Sequence, residues 1–223
     1  MRGGAKKKKM NGIIGYEESQ TVTIAFNEVG HNFHSCDIKP CSGGFPGKHF
    51  FGCIKKQFKI TPPHSFNFGG FHPVCKYLTN AGVRWLTSVT AKHGYVWSDQ
   101  YKIYINPERW SKMVEAANEF KQCLEWLKQI GKGYVENPIM HKYAMEIVGI
   151  KPTQIIQPWM FGHTTKKATC LWLVGLPELK PTNIIAKELR TDEIHKCPPG
   201  PNREAIRSKT FPGIAKAMAD QWG

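Results

Sequence analysis

The sequence predicts an α/β fold in which a central, mostly parallel sheet is flanked by helices. Residues 13–37 have the pattern of a strand, a turn, a helix and a second strand, the unit that opens a doubly wound sheet. Residues 108–130 carry apolar side chains at helical spacing, and a short apolar strand follows at 133–135. Strands that alternate with helices in this way are typical of parallel sheets.

The first unit is defined by its apolar spacing. The apolar pair at 13–14 predicts the first strand, and apolar positions recur at helical spacing over 22–29. Ser19 or Thr21 is expected near the cap of this helix, because short polar side chains favour that position. Residues 32–37 are the predicted second strand.

The rest of the chain is less regular. Residues 40–70 are rich in glycine and proline, which predicts loops with one or two short strands. Residues 79–107 form a long connection, and a loop of that length beside a candidate nucleophile is expected to act as a lid. A further strand is predicted at 168–174, an irregular proline-rich stretch at 177–201 and a closing helix at 212–222.

Length and composition limit the classes of protein to consider. A chain of 223 residues suffices for one well-buried domain, which we expect over 11–223 after a flexible basic arm at 1–10. The 31 Lys and Arg against 17 Asp and Glu give a net charge of +14, which favours a polyanion such as nucleic acid over a membrane. Seven cysteines without a compact framework, and the lack of a long apolar run, predict a cytoplasmic protein.

Two short motifs point to chemistry on a pyrimidine ring. Pro73-Val74-Cys75 places a thiol just after a proline-containing turn, and Val135-Glu136-Asn137-Pro138 places a carboxyl group at the end of a strand. Cytosine is electron-poor at carbon 6, so substitution at carbon 5 needs a soft nucleophile at carbon 6 and an acid at ring nitrogen 3. Cysteine and glutamate supply that pair.

A series of motifs in order along the chain resembles the carbon-5 cytosine DNA methyltransferase family, and in particular its compact phage-encoded members. The motifs are Glu17-Glu18-Ser19-Gln20, Ser35-Cys36-Asp37, the stretch His72 to Asn80 (HPVCKYLTN), Glu136-Asn137-Pro138, Gln154 to Trp159 (QIIQPW) and Arg207 to Ala215 (RSKTFPGIA). Together they cover nearly the whole chain.

The resemblance implies a Rossmann-like fold that binds S-adenosylmethionine and acts on duplex DNA with the target cytosine flipped out. Glu18, Ser19 and Asp37 would hold the cofactor, with Asp37 on the ribose hydroxyls and backbone N–H groups at the helix terminus. The implied catalytic residues are Cys75, the nucleophile, and Glu136, the acid, with Asn137 and Pro138 fixing the turn that aims Glu136. Substrate contacts are expected from Asn80, Arg84 and Trp85, of which Arg84 and Trp85 lie in the predicted lid with Trp97.

The chain also departs from the family pattern. No glycine follows the first strand, Val74 stands before the cysteine where proline is usual, and Gly52-Cys53 replaces glycine and aspartate. The reduced irregular segment at about 177–203 is too short for extensive base reading, because specific DNA interfaces cover on the order of 1,000 Å² of protein. Specificity is then relaxed, a partner protein supplies it, or the substrate is a nucleotide.

Three functions therefore remain open: a DNA cytosine methyltransferase, a methyltransferase-like protein that only binds DNA, and an enzyme that methylates a free pyrimidine nucleotide. Two further sites are weaker. His31, His34, Cys36 and Cys41 contain zinc-binding residue types, but their spacing matches no common finger. His64 or His72 with Cys75 suggests a thiol-histidine dyad without a third member. The tryptophans Trp159, Trp172 and Trp222 are expected in the core.

Overall fold

A computed structural model describes residues 8–198, 200 and 203–223 of the chain. Most of the predicted basic arm therefore lies outside the described residues, while Met10 is buried and its backbone N–H donates to His31 Nδ1. In the part of the chain that the structure describes, no helix is both long and apolar enough to cross a membrane.

The protein has a seven-stranded sheet in the order β3-β2-β1-β4-β8-β10-β9, with a separate three-stranded sheet in the order β5-β7-β6. The strands are β1 (Asn11–Gly15), β2 (Asn32–Asp37), β3 (His49–Phe51), β4 (Phe68–Phe71), β5 (Thr87–Ser88), β6 (Val96–Ser98), β7 (Ile103–Ile105), β8 (Gly133–Pro138), β9 (Gln154–Ile156) and β10 (Thr169–Val174). The helices are α1 (Thr21–Glu28), α2 (Ile54–Ile60), α3 (Asn80–Val83), α4 (Pro107–Ile130), α5 (Lys142–Val148), α6 (Glu193–Lys196), α7 (Arg203–Ser208) and α8 (Pro212–Trp222).

The large sheet confirms the predicted Rossmann-like α/β class. Strands β3, β2, β1, β4 and β8 run parallel to one another, and β10 runs antiparallel between β8 and β9. Helices α1 and α8 cover one face, where their apolar side chains pack with Phe33 and Phe68. Helices α2, α4 and α5 cover the other face around Phe71 and Val135. Burial on both faces explains the fully buried apolar residues of the central strands, such as Ile13 and Ile14 in β1 and Phe68 and Phe71 in β4.

The strongest sequence patterns gave the most accurate boundaries. The second strand, the long helix and the closing helix agree with the predictions to within a residue, and the long helix begins at an Asn106 cap whose side chain accepts from Arg109 N. The first helix differs in its cap: Gln20 occupies that position with φ 57°, rather than Ser19 or Thr21.

Two stretches predicted as loops contain regular structure. Within 40–70, helix α2 was missed because only Ile54 and Phe58 of its residues are buried, between lysines. The long connection 79–107 is a folded insertion that contains α3 and the three-stranded sheet. The expectation of a simple loop was therefore wrong, since strands of two or three residues carry too little periodicity to be recognised.

The tryptophan prediction was correct at two positions and wrong at one. Trp172 and Trp222 are buried, and the Trp222 indole N–H donates to Pro177 O at 3.1 Å. Trp159 is only half-buried, and the Arg190 guanidinium lies 3.6 Å from its ring centroid. Trp159 thus forms a cation–π contact at the surface of the sheet rather than part of the core.

Candidate active site

The carboxyl ends of β1, β4 and β8 meet at one edge of the sheet. The strand order reverses between β1 and β4, and open α/β sheets bind their ligands at such a switch point. The loop after β4 carries Cys75, and β8 carries Glu136. The register pairs Phe71 of β4 with Val135 of β8. The residues that follow them, His72 and Glu136, therefore lie at the same level of the sheet.

The loop that carries Cys75 is fastened to β8 and to the segment after it. The Asn137 side chain donates from Nδ2 to Pro73 O at 3.3 Å, and the His141 backbone N–H donates to Leu78 O at 2.9 Å. Asn137 is 1% exposed, and its Oδ1 has no hydrogen-bond partner among the residues that the structure describes. The two sides of the Cys75 loop are therefore held by the strand that carries Glu136 and by the segment that follows it.

Three charged residues act on the thiol of Cys75. Burial is the main cause that raises the pKa of Cys75, and the charge of Glu136 raises it further. The charges of Lys167 and Arg207 lower the same pKa. Because such effects weaken with distance, Glu136, Lys167 and Arg207 are near enough to Cys75 for their charges to act on its pKa.

The carboxylate of Glu136 belongs to a polar cluster with His72 and Tyr134. Glu136 Oε2 lies 3.9 Å from His72 Nε2, and the same nitrogen lies 2.8 Å from Tyr134 Oη. Burial, followed by the charges of Glu17 and Glu136, raises the pKa of Tyr134 well above its usual range. Tyr134 keeps its proton and can donate it in a hydrogen bond that orients His72. The ring nitrogen of His72 thus lies beside Glu136, and the thiol-histidine dyad has no geometric support.

The end of β1 is organised by a buried carboxylate. Glu17 is 2% exposed and accepts hydrogen bonds from Val22 N at 2.6 Å, Thr23 N at 3.2 Å and Thr23 Oγ1 at 2.6 Å. Burial raises the pKa of Glu17, although His72 and these hydrogen bonds partly offset the effect. Glu17 therefore occupies two N–H groups at the amino end of α1. The expectation that these groups bind the cofactor is corrected, because a side chain of the protein already satisfies them.

The three residues assigned to the cofactor lie at the ends of β1 and β2. Glu18 Oε2 accepts from Ser42 Oγ, and Ser19 Oγ lies 3.1 Å from Thr21 Oγ1. Asp37 ends β2, and its Oδ1 accepts from Lys39 N at 2.9 Å. All three side chains are partly exposed at the carboxyl edge of the sheet.

A cleft of about 600 Å³ opens beside the Cys75 loop, between that loop, α2 and α4. Glu119 connects this cleft to the end of β1, because it accepts from Tyr16 Oη at 3.0 Å and lies 3.7 Å from Lys55 Nζ. The lining residues do not include Glu18, Ser19 or Asp37. They are Lys55, Val74, Tyr77, Lys112, Glu115, Ala116, Asn118, Glu119 and Gln122.

The predicted substrate residues begin the folded insertion. Asn80 is exposed at the start of α3, and Arg84 caps the end of that helix. The guanidinium of Arg84 lies 5.0 Å from the ring centroid of Trp85, which is 56% exposed. All three residues are therefore exposed on the insertion, and the loop with Cys75 leads directly into it.

The sequence did not predict that Lys167 and Arg207 act on the Cys75 thiol. Lys167 lies just before β10, and its Nζ donates to Lys209 O at 3.3 Å, which brings the segment around Arg207 to the site. Arg207 lies in the motif from Arg207 to Ala215, which was noted for its resemblance and not for its charge. Lys167 is a single lysine in a polar stretch and provides no signal of its own. Only the sheet topology places Lys167 beside Cys75.

The structure does not bring metal ligands together within the described residues, where no group of three or more His, Cys, Asp and Glu side chains could hold an ion. His34 stacks on Phe50 with ring centroids 5.0 Å apart. Cys36 is buried, which raises the pKa of its thiol to about 12, with smaller contributions from Asp37 and Cys53. The zinc interpretation of the segment 31–41 is therefore not supported.

No family model matches this chain, and no curated protein matches it. A solved structure of a methyltransferase from Entamoeba histolytica is similar to it, with 13% sequence identity and a TM-score of 0.39 over 80% of this chain. The similar region spans 58% of that protein's chain. A likeness of this size assigns neither a family nor an activity.

Proposed function

We propose that this protein transfers a methyl group from S-adenosylmethionine to carbon 5 of cytosine in DNA through a covalent adduct with Cys75. The observation that supports the proposal is that Cys75 follows β4 and Glu136 lies on the neighbouring strand β8, where the charges of Glu136, Lys167 and Arg207 all act on the Cys75 thiol. The net charge of +14 suits a DNA substrate.

Each side chain has a defined task in this reaction. The Cys75 thiolate forms a bond to carbon 6 while Glu136, as a carboxylic acid, donates its proton to ring nitrogen 3. The cofactor, when bound, supplies an electrophilic methyl group to carbon 5. Loss of the carbon-5 proton to a base then restores the double bond and expels the thiolate of Cys75, while ring nitrogen 3 returns its proton to Glu136. Lys167 and Arg207 favour the thiolate at both ends of this sequence.

The proposal of S-adenosylmethionine as the cofactor is supported by the partly exposed carboxylate and hydroxyl side chains at the carboxyl ends of β1 and β2. In the proposal, Asp37 accepts from the ribose hydroxyls, and Glu18 and Ser19 contact the cofactor from the turn after β1. The target base leaves the duplex to reach Cys75, and a partner protein contributes to target recognition.

A second candidate, a DNA-binding protein without catalysis, is favoured by features at both motifs. Glu17 occupies N–H groups of α1 that would otherwise face an anionic part of a cofactor, and Val74 and Cys53 replace residues usual in the resembled family. Calorimetry with S-adenosylmethionine separates the two candidates. The enzyme requires measurable heat of binding, and its absence at millimolar cofactor favours the second candidate.

A covalent trap tests the enzyme directly. Duplex DNA that contains 5-fluorocytosine has no proton to lose at carbon 5, so a competent enzyme stays attached through Cys75 in the presence of S-adenosylmethionine. We expect a denaturation-resistant adduct that Cys75→Ala abolishes and Cys197→Ala, a change at another partly exposed cysteine, preserves. Label from the cofactor in deoxycytidine monophosphate rather than in DNA would instead support the nucleotide enzyme.

A further inference from the structure

A second cleft lies between the folded insertion and the first turns of α4. Its volume is about 440 Å³, and three aromatic side chains line it, those of Tyr77, Trp85 and Tyr95. Tyr95 Oη donates to Trp85 O at 2.9 Å, so two of the three walls are fastened to each other. Trp85 remains 56% exposed, so a large part of its flat apolar ring is accessible to a ligand.

The charges around this cleft select the kind of ligand. Arg109 and Lys112 line it, and the Arg109 guanidinium lies 5.2 Å from the ring centroid of Tyr77. Glu108 forms an ion pair with Lys112, so the positive charge of Arg109 is in excess. A cationic ligand is therefore disfavoured. A flat ring attached to an anionic group satisfies both the aromatic walls and the cations, and a nucleotide unit of DNA has both parts.

The position of the cleft relates it to the proposed target base. Tyr77 lines this cleft on one side and the cleft beside Val74 on the other, and it follows Cys75 by two residues. A strand whose cytosine reaches Cys75 would therefore pass the aromatic cleft with a neighbouring nucleotide.

We propose that this aromatic cleft binds one nucleobase that flanks the target cytosine, stacked on Trp85, with Arg109 beside its phosphate. This inference rests on the proposed DNA substrate and deepens it. Stacking on Trp85 gives the chain a contact to DNA outside the short segment 177–203. This contact accepts different bases, because every base has a face that can stack.

The insertion provides a matched pair of variants. Trp85→Ala removes a tryptophan that lines the cleft, whereas Trp97→Ala removes one that is 49% exposed in the same insertion but packs on Tyr104 outside the cleft. The probe is a labelled duplex whose single C·G pair fixes the register, tested in a series with one abasic site moved stepwise along the cytosine strand. Binding is measured by fluorescence anisotropy, and circular dichroism confirms folding.

We expect Trp85→Ala to weaken binding to the intact duplex on the order of 5- to 150-fold, and Trp97→Ala to leave it unchanged. An abasic site at one position near the cytosine should remove the difference between Trp85→Ala and the unmodified protein. Three outcomes would overturn the inference. The two variants could bind the duplex with equal affinity, the loss of affinity in Trp85→Ala could persist at every abasic position, or the unmodified protein could fail to bind DNA. The proposed catalysis is tested by a different measurement, the formation of the Cys75 adduct. A protein that forms no adduct can still show these differences in DNA affinity.

Discussion

Gly133 offers a sharp test of how the two catalytic motifs are held together. It opens β8 with φ 145°, and an alanine Cβ at this position would lie 1.8 Å from the carbonyl oxygen of Gly69 on β4. Contacts of a real Cβ below 3.0 Å are essentially never seen. Gly133→Ala must therefore separate the strands that lead to Cys75 and Glu136, or force the backbone out of its conformation.

The expected cost follows from these two effects. The unfavourable φ costs about 1–3 kcal/mol, and displacement of the paired strands brings the total to about 3–5 kcal/mol. The matched control is Gly131→Ala, because Gly131 also has a positive φ of 84° but no atom within 4 Å of the added Cβ. That change should cost only about 1–2 kcal/mol.

Thermal or urea unfolding followed by circular dichroism measures both variants. For a chain of this size, the Gly133→Ala cost corresponds to a midpoint lowered by roughly 6–20 °C. We expect Gly133→Ala to unfold well below Gly131→Ala and to form no Cys75 adduct. Equal midpoints for the two variants would refute the reasoning, because the contact with Gly69 would then be absent in solution.

Three further predictions concern the site. Because burial raises the pKa of Cys75 and Lys167 lowers it, alkylation of Cys75 by iodoacetamide should accelerate steadily above neutral pH. Lys167→Met should slow it by about 2- to 5-fold at pH 7.5, from an interaction of about 0.5–1 kcal/mol. Peptide mass spectrometry gives the rates, and an unchanged rate would contradict the placement of Lys167. Asn137→Ala should lower the free energy of unfolding by only about 1 kcal/mol, yet strongly reduce adduct formation, because it removes the hydrogen bond from Asn137 to the Cys75 loop. A full yield of adduct would show that the loop does not depend on this hydrogen bond. The raised pKa of Glu17 means that the folded protein holds its proton more tightly than the unfolded chain, so stability should fall as pH rises above 4.5. Urea unfolding across pH should show a shallower fall for Glu17→Gln, and parallel curves would argue against the buried charge.

The sequence predicted the parts of the fold where apolar spacing is long or strictly repeated. Helices α4 and α8 have such patterns, and their boundaries were confirmed. Helix α2 and the strands of the insertion were missed because they are short and half-exposed, so their periodicity is weak.

The site was predictable where a motif carries its own chemistry. Cys75 and Glu136 were found because a thiol and a carboxyl group stand in distinctive local contexts. The role of Glu17 was not predicted. Whether such a carboxylate faces a ligand or bonds to the adjacent helix depends on the conformation of the turn, which includes φ 57° at Gln20. Lys167 reaches Cys75 only through the topology of the sheet, which local patterns do not specify.

The packing of α8 on α1 has a consequence for the order in which this chain folds during synthesis. Trp222 lies 5.7 Å from the ring of Tyr134 and 6.5 Å from that of Phe68, measured between ring centroids. The sheet and α1 leave the ribosome long before this cover does. A nascent chain therefore presents an uncovered apolar sheet face until α8 docks, and exposed apolar surface of this kind is prone to aggregation.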